Sequence, residues 1–267
     1  MLNAFIIVWR ESLEAMLVIG VLLSWIARQP APAPLRRRLW LGVAAGLSLA
    51  CALGAGTFAV QSEFAGASLD VFQLAMVLTA AALIMHMVLW MHRHGRHMKR
   101  ELEGRAGAWG IAAIAALAVG REGAETVVFL YGLGLESQGL ALAGLSGAAA
   151  AGLAAAGATA WLAARGARLL NYRTLFAASE ILLLCIANAL LANAVDRTIA
   201  LGWLPALADP LWDLSVWLAD GQGAGRLLAD FTGYRARPAA TLVLASLAFW
   251  AYALWRLKRP ATAALGA

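Results

Sequence analysis

Apolar residues run along this chain in blocks of about 20, separated by short polar or basic segments. A block of that length crosses a bilayer as a helix rising about 1.5 Å per residue. The pattern predicts seven spans, at 2–26, 39–60, 70–91, 109–133, 141–164, 175–195 and 238–256. Lipid offers the backbone no hydrogen-bond partners, so each span is helical and the predicted fold class is an all-α membrane protein. Two blocks break the apolar pattern. RESLE (Arg10–Glu14) interrupts the first, and REGAE (Arg121–Glu125) interrupts the fourth.

Composition agrees with the pattern. Of 267 residues, 62% are hydrophobic and 13% charged, against about 25% charged in a soluble domain. Mean hydropathy is +0.74. Residues 1–267 therefore read as one transmembrane domain with little room for a soluble one. Cys51 and Cys185 both lie inside apolar blocks and read as small buried hydrophobes, with no disulfide framework. "APAPL" after the first span looks like a cleavage site. Yet the basic n-region is missing and charges interrupt the apolar core, so the first helix is expected to be uncleaved.

The net charge of +6 is placed by topology and is no sign of nucleic-acid binding. Fifteen of the 21 Lys and Arg fall in the connections 27–38, 92–108 and 165–174 and in the tail from Arg256 onward. The connections 61–69 and 134–140 hold none, and the long one, 196–237, holds four. The positive-inside rule then puts the N-terminus outside and the C-terminus in the cytoplasm; the expected location is the cytoplasmic (inner) membrane, as a multi-pass protein.

REGAE repeats RESLE at an offset of 111 residues, three spans further along the chain. An odd number of spans reverses direction, so the halves form an inverted repeat, a common transporter plan. Repeat one covers about 1–92 and repeat two about 109–195, followed by the outer loop 196–237 and an added last helix, 238–256. Both motifs lie about 15 Å deep, near the midplane. Gly42, Gly46, Ala50 and Gly54 form a row of small residues, and GAAAAGLAAAGATA in the fifth span forms another; both point to close helix contact.

Positions i, i+3 and i+4 share a helix face. Glu11 and Glu14 therefore point the same way with Arg10 in reach, and Glu122 and Glu125 do so with Arg121. Three charges at a helix centre cost roughly 8–10 kcal/mol if unpaired. A buried ion pair rarely beats apolar packing, so stability does not explain a motif placed twice at one depth. Four carboxylates and two guanidiniums leave a formal charge of −2, which a hard divalent or ferric ion would largely offset. The arginines would hold the carboxylates in a ligating orientation. Three other readings remain: salt bridges that only lock the two spans, a proton relay, and a carboxylate-bridged di-metal oxidase embedded in the membrane. Against the last, di-iron bundles use Glu-x-x-His pairs, and neither motif has a histidine there.

Arg-Glu-x-x-Glu in the first and fourth of seven spans resembles the oxidase-dependent, high-affinity iron permeases of fungi and bacteria. LIMHMVLWM, PLWDLSVWL and GYRARPA also fit, so the resemblance covers nearly the whole chain. Ser12 and Ala124 depart from that family's usual Arg-Glu-Gly-Leu-Glu, with every charged position intact. The resemblance implies a transporter and no enzyme. It also implies that Glu11, Glu14, Glu122 and Glu125 bind iron in passage, assisted by Arg10 and Arg121. Iron, ferric after oxidation outside, is then the transported substrate, with no permanently bound cofactor. The implied partner is an extracytoplasmic oxidase or iron-delivery protein. A proton-coupled transporter of another hard cation is the remaining alternative.

Weaker features have plainer explanations beside them. His86, His92, His94 and His97 read either as an inner metal acceptor or as a basic juxtamembrane segment, and their spacing matches no standard metal motif. Asp70 and Glu180, at the starts of the third and sixth spans, are accessory ligands or ordinary helix-start acids. LPALADPLWDLSVWLAD (204–220) has the makings of an amphipathic surface helix, with Trp203, Trp212 and Trp217 as interface anchors or a docking surface. Asn188 and Asn193 are expected to hydrogen bond between helices.

Overall fold

The computed structural model describes residues 2–64, 66–94, 108–134, 140–164 and 172–258; of His92 and His94 only the backbone is described, and His97 lies outside the described residues. These residues form eight helices and no strand. They are α1 (Leu2–Ile26), α2 (Pro32–Glu63), α3 (Ala67–His94), α4 (Ala108–Gly134), α5 (Leu140–Ala164), α6 (Tyr172–Ala200), α7 (Gly223–Thr232) and α8 (Ala240–Lys258). By length and composition, α2, α3, α5, α6 and α8 suit a membrane crossing. α1 and α4 are also long, at 25 and 27 residues, and differ in carrying three ionisable groups near the middle. α2 starts at Pro32 rather than 39, because proline suits the first turn of a helix. Arg36, Arg37 and Arg38 are therefore helical.

Contacts divide the chain into two compact units, residues 1–76 with 97–179, and residues 77–96 with 180–267. In the first, α2 lies along α4, and α1 lies along both α5 and α4. Leu22 and Ile26 at the end of α1 share a core with Ile111 and Ala115 at the start of α4, so these two helices run antiparallel. Leu39 and Val43 of α2 complete that core.

Glycine sets the helix separations here. A Cβ on Gly46 would stand 2.7 Å from Ala116 O, 2.8 Å from Gly120 N and 2.9 Å from Val119 Cβ. A Cβ on Gly152 of α5 would stand 2.5 Å from Phe5 O, 3.1 Å from Trp9 N and 3.2 Å from Val8 Cβ. Positions 116, 120 and 119 are 5, 9 and 8 displaced by the same 111 residues that separate the charged motifs. The α2–α4 contact and the α5–α1 contact thus use the same atoms in the same order. An approximate two-fold, with α1 and α4 antiparallel, accounts for that match and supports the inverted repeat. The rows of small residues read from the sequence are these contacts.

In the second unit, residues 204–220 are not the amphipathic helix their composition permits. Pro205 and Pro210 interrupt the run, each removing a donor and restricting the residue before it. The backbone pairs instead with the segment ahead of α8: Leu211 N–H to Pro238 O at 2.8 Å, Leu214 N–H to Ala236 O at 2.8 Å and Ala240 N–H to Ala208 O at 2.8 Å. The short amphipathic helix is α7, further along. GYRARPA (233–239) pins this region. Gly233 ends α7 with φ at 75°, a conformation that favours glycine. Arg235 Nε donates to Asp196 Oδ2 at 2.8 Å, and its Nη2 donates to Asn193 Oδ1. Tyr234 O–H donates to Leu218 O at 3.0 Å. Ser215 donates twice to Asp213, holding that carboxyl below the usual carboxylate range and ionised opposite Arg237 at 3.4 Å. Asn188 bonds between helices as expected, its Nδ2 donating to Thr232 O of α7 at 2.8 Å, whereas Asn193 accepts from Arg235 in the segment ahead of α8.

Overpacking a tight contact costs about 1–3 kcal/mol. Gly46→Ala and Gly152→Ala are each expected to destabilise the purified protein by about that much in thermal melts. Gly20→Ala, where an added Cβ meets nothing within 4 Å, is expected to leave stability unchanged or raise it by up to about 1 kcal/mol, because alanine suits a helix interior better than glycine.

Candidate metal centre

α1 buries a stripe at helical spacing: Asn3 and Ala4, Ile7 and Val8, then Arg10, Glu11 and Leu13. Arg10 and Glu11 are both 0% exposed, which is rare for charged residues unless they are paired. The pairing is present. Arg10 Nη1 stands 3.1 Å from Glu11 Oε1, and its Nη2 stands 2.8 Å from Glu14 Oε1. One guanidinium spans both carboxylates of its motif, as the i, i+4 geometry dictates.

The second motif is built alike on α4 but held differently. Arg121 Nε donates to Glu125 Oε1 at 2.9 Å and lies 3.8 Å from Glu122. Its side chain is 43% exposed, against 1% for Arg10. Gly120 precedes the motif and Gly123 lies within it. A Cβ on Gly123 would lie 2.5 Å from Ala50 Cβ, so the close approach of α2 requires glycine there. On α1, position 12 carries serine, the departure noted in the sequence. Across the other helix pair, Trp9 Nε1–H donates to Thr159 Oγ1 at 3.2 Å, fixing α1 against α5.

Because α1 and α4 run antiparallel, their midpoints meet. One carboxylate oxygen from each of Glu11, Glu14 and Glu122 lies within 4.8 Å of the others. Oε2 of Glu11, of Glu122 and of Glu125 is buried and accepts no hydrogen bond. Buried carboxylate oxygens are normally satisfied, and unsatisfied ones in a cluster of carboxylates suit a cation. The donor set is all oxygen, which suits hard ions.

Three of the four glutamates singled out in the sequence are thus in one cluster. Glu125 is bound to Arg121 and lies outside that group. Asp70 is exposed in the first turn of α3. Glu180, half-buried in α6, and His86, exposed on α3, belong to the second unit. Sequence reading passed over the packing roles of Gly120, Gly123 and Thr159; the small residues in and beside REGAE were the available signal. It also passed over Asn3, whose burial on the motif face follows from its spacing of seven and eight residues to Arg10 and Glu11.

A family model described as the iron permease FTR1 family matches residues 1–257. The ferrous iron permease EfeU of Yersinia pestis is 26% identical over 249 residues, covering 90% of this chain and 86% of the relative. That of Escherichia coli O6:H1 is 28% identical over 258 residues, with 90% and 88% covered. That of Shigella sonnei has the same identity and coverage. No solved structure matches the chain significantly.

Removing one partner of a buried ion pair costs about 3–5 kcal/mol, whereas an exposed pair contributes about 0–1 kcal/mol. Arg10→Met is therefore expected to destabilise the protein by the larger amount and Arg121→Met by far less. Thermal unfolding of the two purified variants checks the difference.

Proposed function

The chain belongs to the iron permease family, a multi-pass membrane transporter and not an enzyme, and from that premise we propose that Glu11, Glu14, Glu122 and Glu125 form the site through which it imports iron across the cytoplasmic membrane. The observation that carries this reading is the cluster itself: carboxylates from two antiparallel helices, with ligating oxygens within 4.8 Å of one another. Family membership removes the di-metal oxidase alternative. Arg10 and Arg121 limit repulsion among the carboxylates when no iron is present and orient them when it is.

The transported ion is ferric, oxidised outside by a partner protein. The all-oxygen, multiply anionic donor set supports that choice, because ferric iron is harder than ferrous. The relatives' own names say ferrous iron, so the two oxidation states are the comparison to make. The N-terminus lies outside, and seven helices cross the bilayer. Asp70, Glu180 and His86 are accessory positions along the path.

Transport proceeds by exchange of access around the site. The two motifs are related by an approximate two-fold, yet Arg10 is buried and Arg121 is 43% exposed. This asymmetry represents one access state. In the opposite state the repeats exchange conformations, with Arg121 buried and Arg10 exposed.

Labelled iron uptake by reconstituted vesicles tests the proposal. Glu14→Gln and Glu122→Gln are each expected to lower uptake by at least about tenfold. Ferric iron is expected to enter directly, and ferrous iron only with an external oxidant. Unchanged uptake after replacing all four glutamates by glutamine would remove the site. Ferrous entry under reducing conditions would reverse the choice of oxidation state. A dependence of uptake on the pH gradient would identify proton coupling.

A further inference from the structure

A second site lies away from the glutamates, on the outer flank of the α2–α4 pair. Because Gly42 lets α2 approach the backbone of Ala112, an open furrow runs beside the contact. It is a cavity of about 780 Å3 lined by, among others, Pro34, Arg37, Arg38, Leu41, Ala45 and Ala113. Its length is apolar, and half of the residues lining it are alanine. Its polar end is the beginning of α2.

Three features at that end attract an anion. Arg37 and Arg38 both line the cavity. α2 begins there with no side-chain cap and no acidic residue in its first turn, so the positive end of its dipole is uncompensated. Among the described residues that line the cavity, none is acidic. Trp40, 51% exposed, adds the amphipathic ring typical of the headgroup level. A groove that is apolar along its length and cationic at one end, on a helix that crosses the membrane, matches one class of molecule.

We propose that this furrow binds an anionic phospholipid, with the phosphodiester on Arg37, Arg38 and the start of α2 and an acyl chain along Leu41, Ala45 and Ala113. Basic pockets between membrane helices bind acidic headgroups in this manner. The bound lipid would cover a contact that aligns α4, which carries Glu122. The proposal needs only that α2 and α4 lie in a bilayer and is independent of the ion transported.

Native mass spectrometry of the purified full chain, in detergent with phosphatidylglycerol and phosphatidylcholine at equal concentration, tests it. The expected result is preferential retention of phosphatidylglycerol. Arg37→Gln and Arg38→Gln should each weaken that retention by roughly fivefold. Ala45→Leu with Ala113→Leu, which fills the furrow and keeps both arginines, should abolish it. Arg36→Gln, outside the furrow, should leave it unchanged. Arg37 is exposed, so its variant provides the comparison even if the others fold poorly. Equal retention of the two lipids would overturn the proposal, as would indifference to Arg37→Gln. Displacement of the lipid by an equal concentration of glycerol phosphate would show a plain anion site and overturn it as well.

Discussion

A guanidinium with no exposed surface, inside a helix that is otherwise apolar, must be neutralised where it stands. Arg10 meets that requirement with Glu11 and Glu14 of its own helix, and the bill for burying all three is what the rest of the fold addresses. Two carboxylates on one arginine leave a net negative charge and unsatisfied oxygens. A second helix with the same motif brings more negative charge to the same place. Without a cation the arrangement is costly, and with one it is a coordination site. The burial, the charge excess and the unfilled acceptors are therefore parts of a single constraint.

Glycine makes the arrangement possible. Gly46 and Gly152 set α2 on α4 and α5 on α1 through equivalent atoms, and the antiparallel α1 and α4 then meet at the level of their motifs. Small residues do in lipid what large apolar ones do in water, because close backbone approach recovers dispersion where hydrophobic burial offers nothing. The packing is approximately symmetric while the charges are not: Arg10 is buried and Arg121 is 43% exposed.

Much of this was legible in the sequence, for reasons that can be assigned to particular residues. RESLE and REGAE at a fixed offset, in the first and fourth spans with two spans between them, implied antiparallel helices with motifs at one depth. The Gly42, Gly46, Ala50 and Gly54 row implied a close contact but not its partner, since spacing shows a face and not what lies against it. The difference between Arg10 and Arg121 was invisible, because identical motifs differ only in what surrounds them. The departure of Glu125 from the main cluster has the same origin. Residues 204–220 misled because their apolar spacing suits a helix while Pro205 and Pro210 oppose one. The structure satisfies that backbone through pairing with 236–240, a long-range partner that no local pattern reveals.

The central claim is that two motifs make one site. Equilibrium binding of iron to the purified chain tests it most directly, by counting ions per molecule. The account predicts one iron per chain in the wild type, and loss of that iron when either motif alone is altered, by Glu11→Gln or by Glu122→Gln. Two irons per chain, or one iron retained after either single change, would mean that the motifs bind separately and would contradict it.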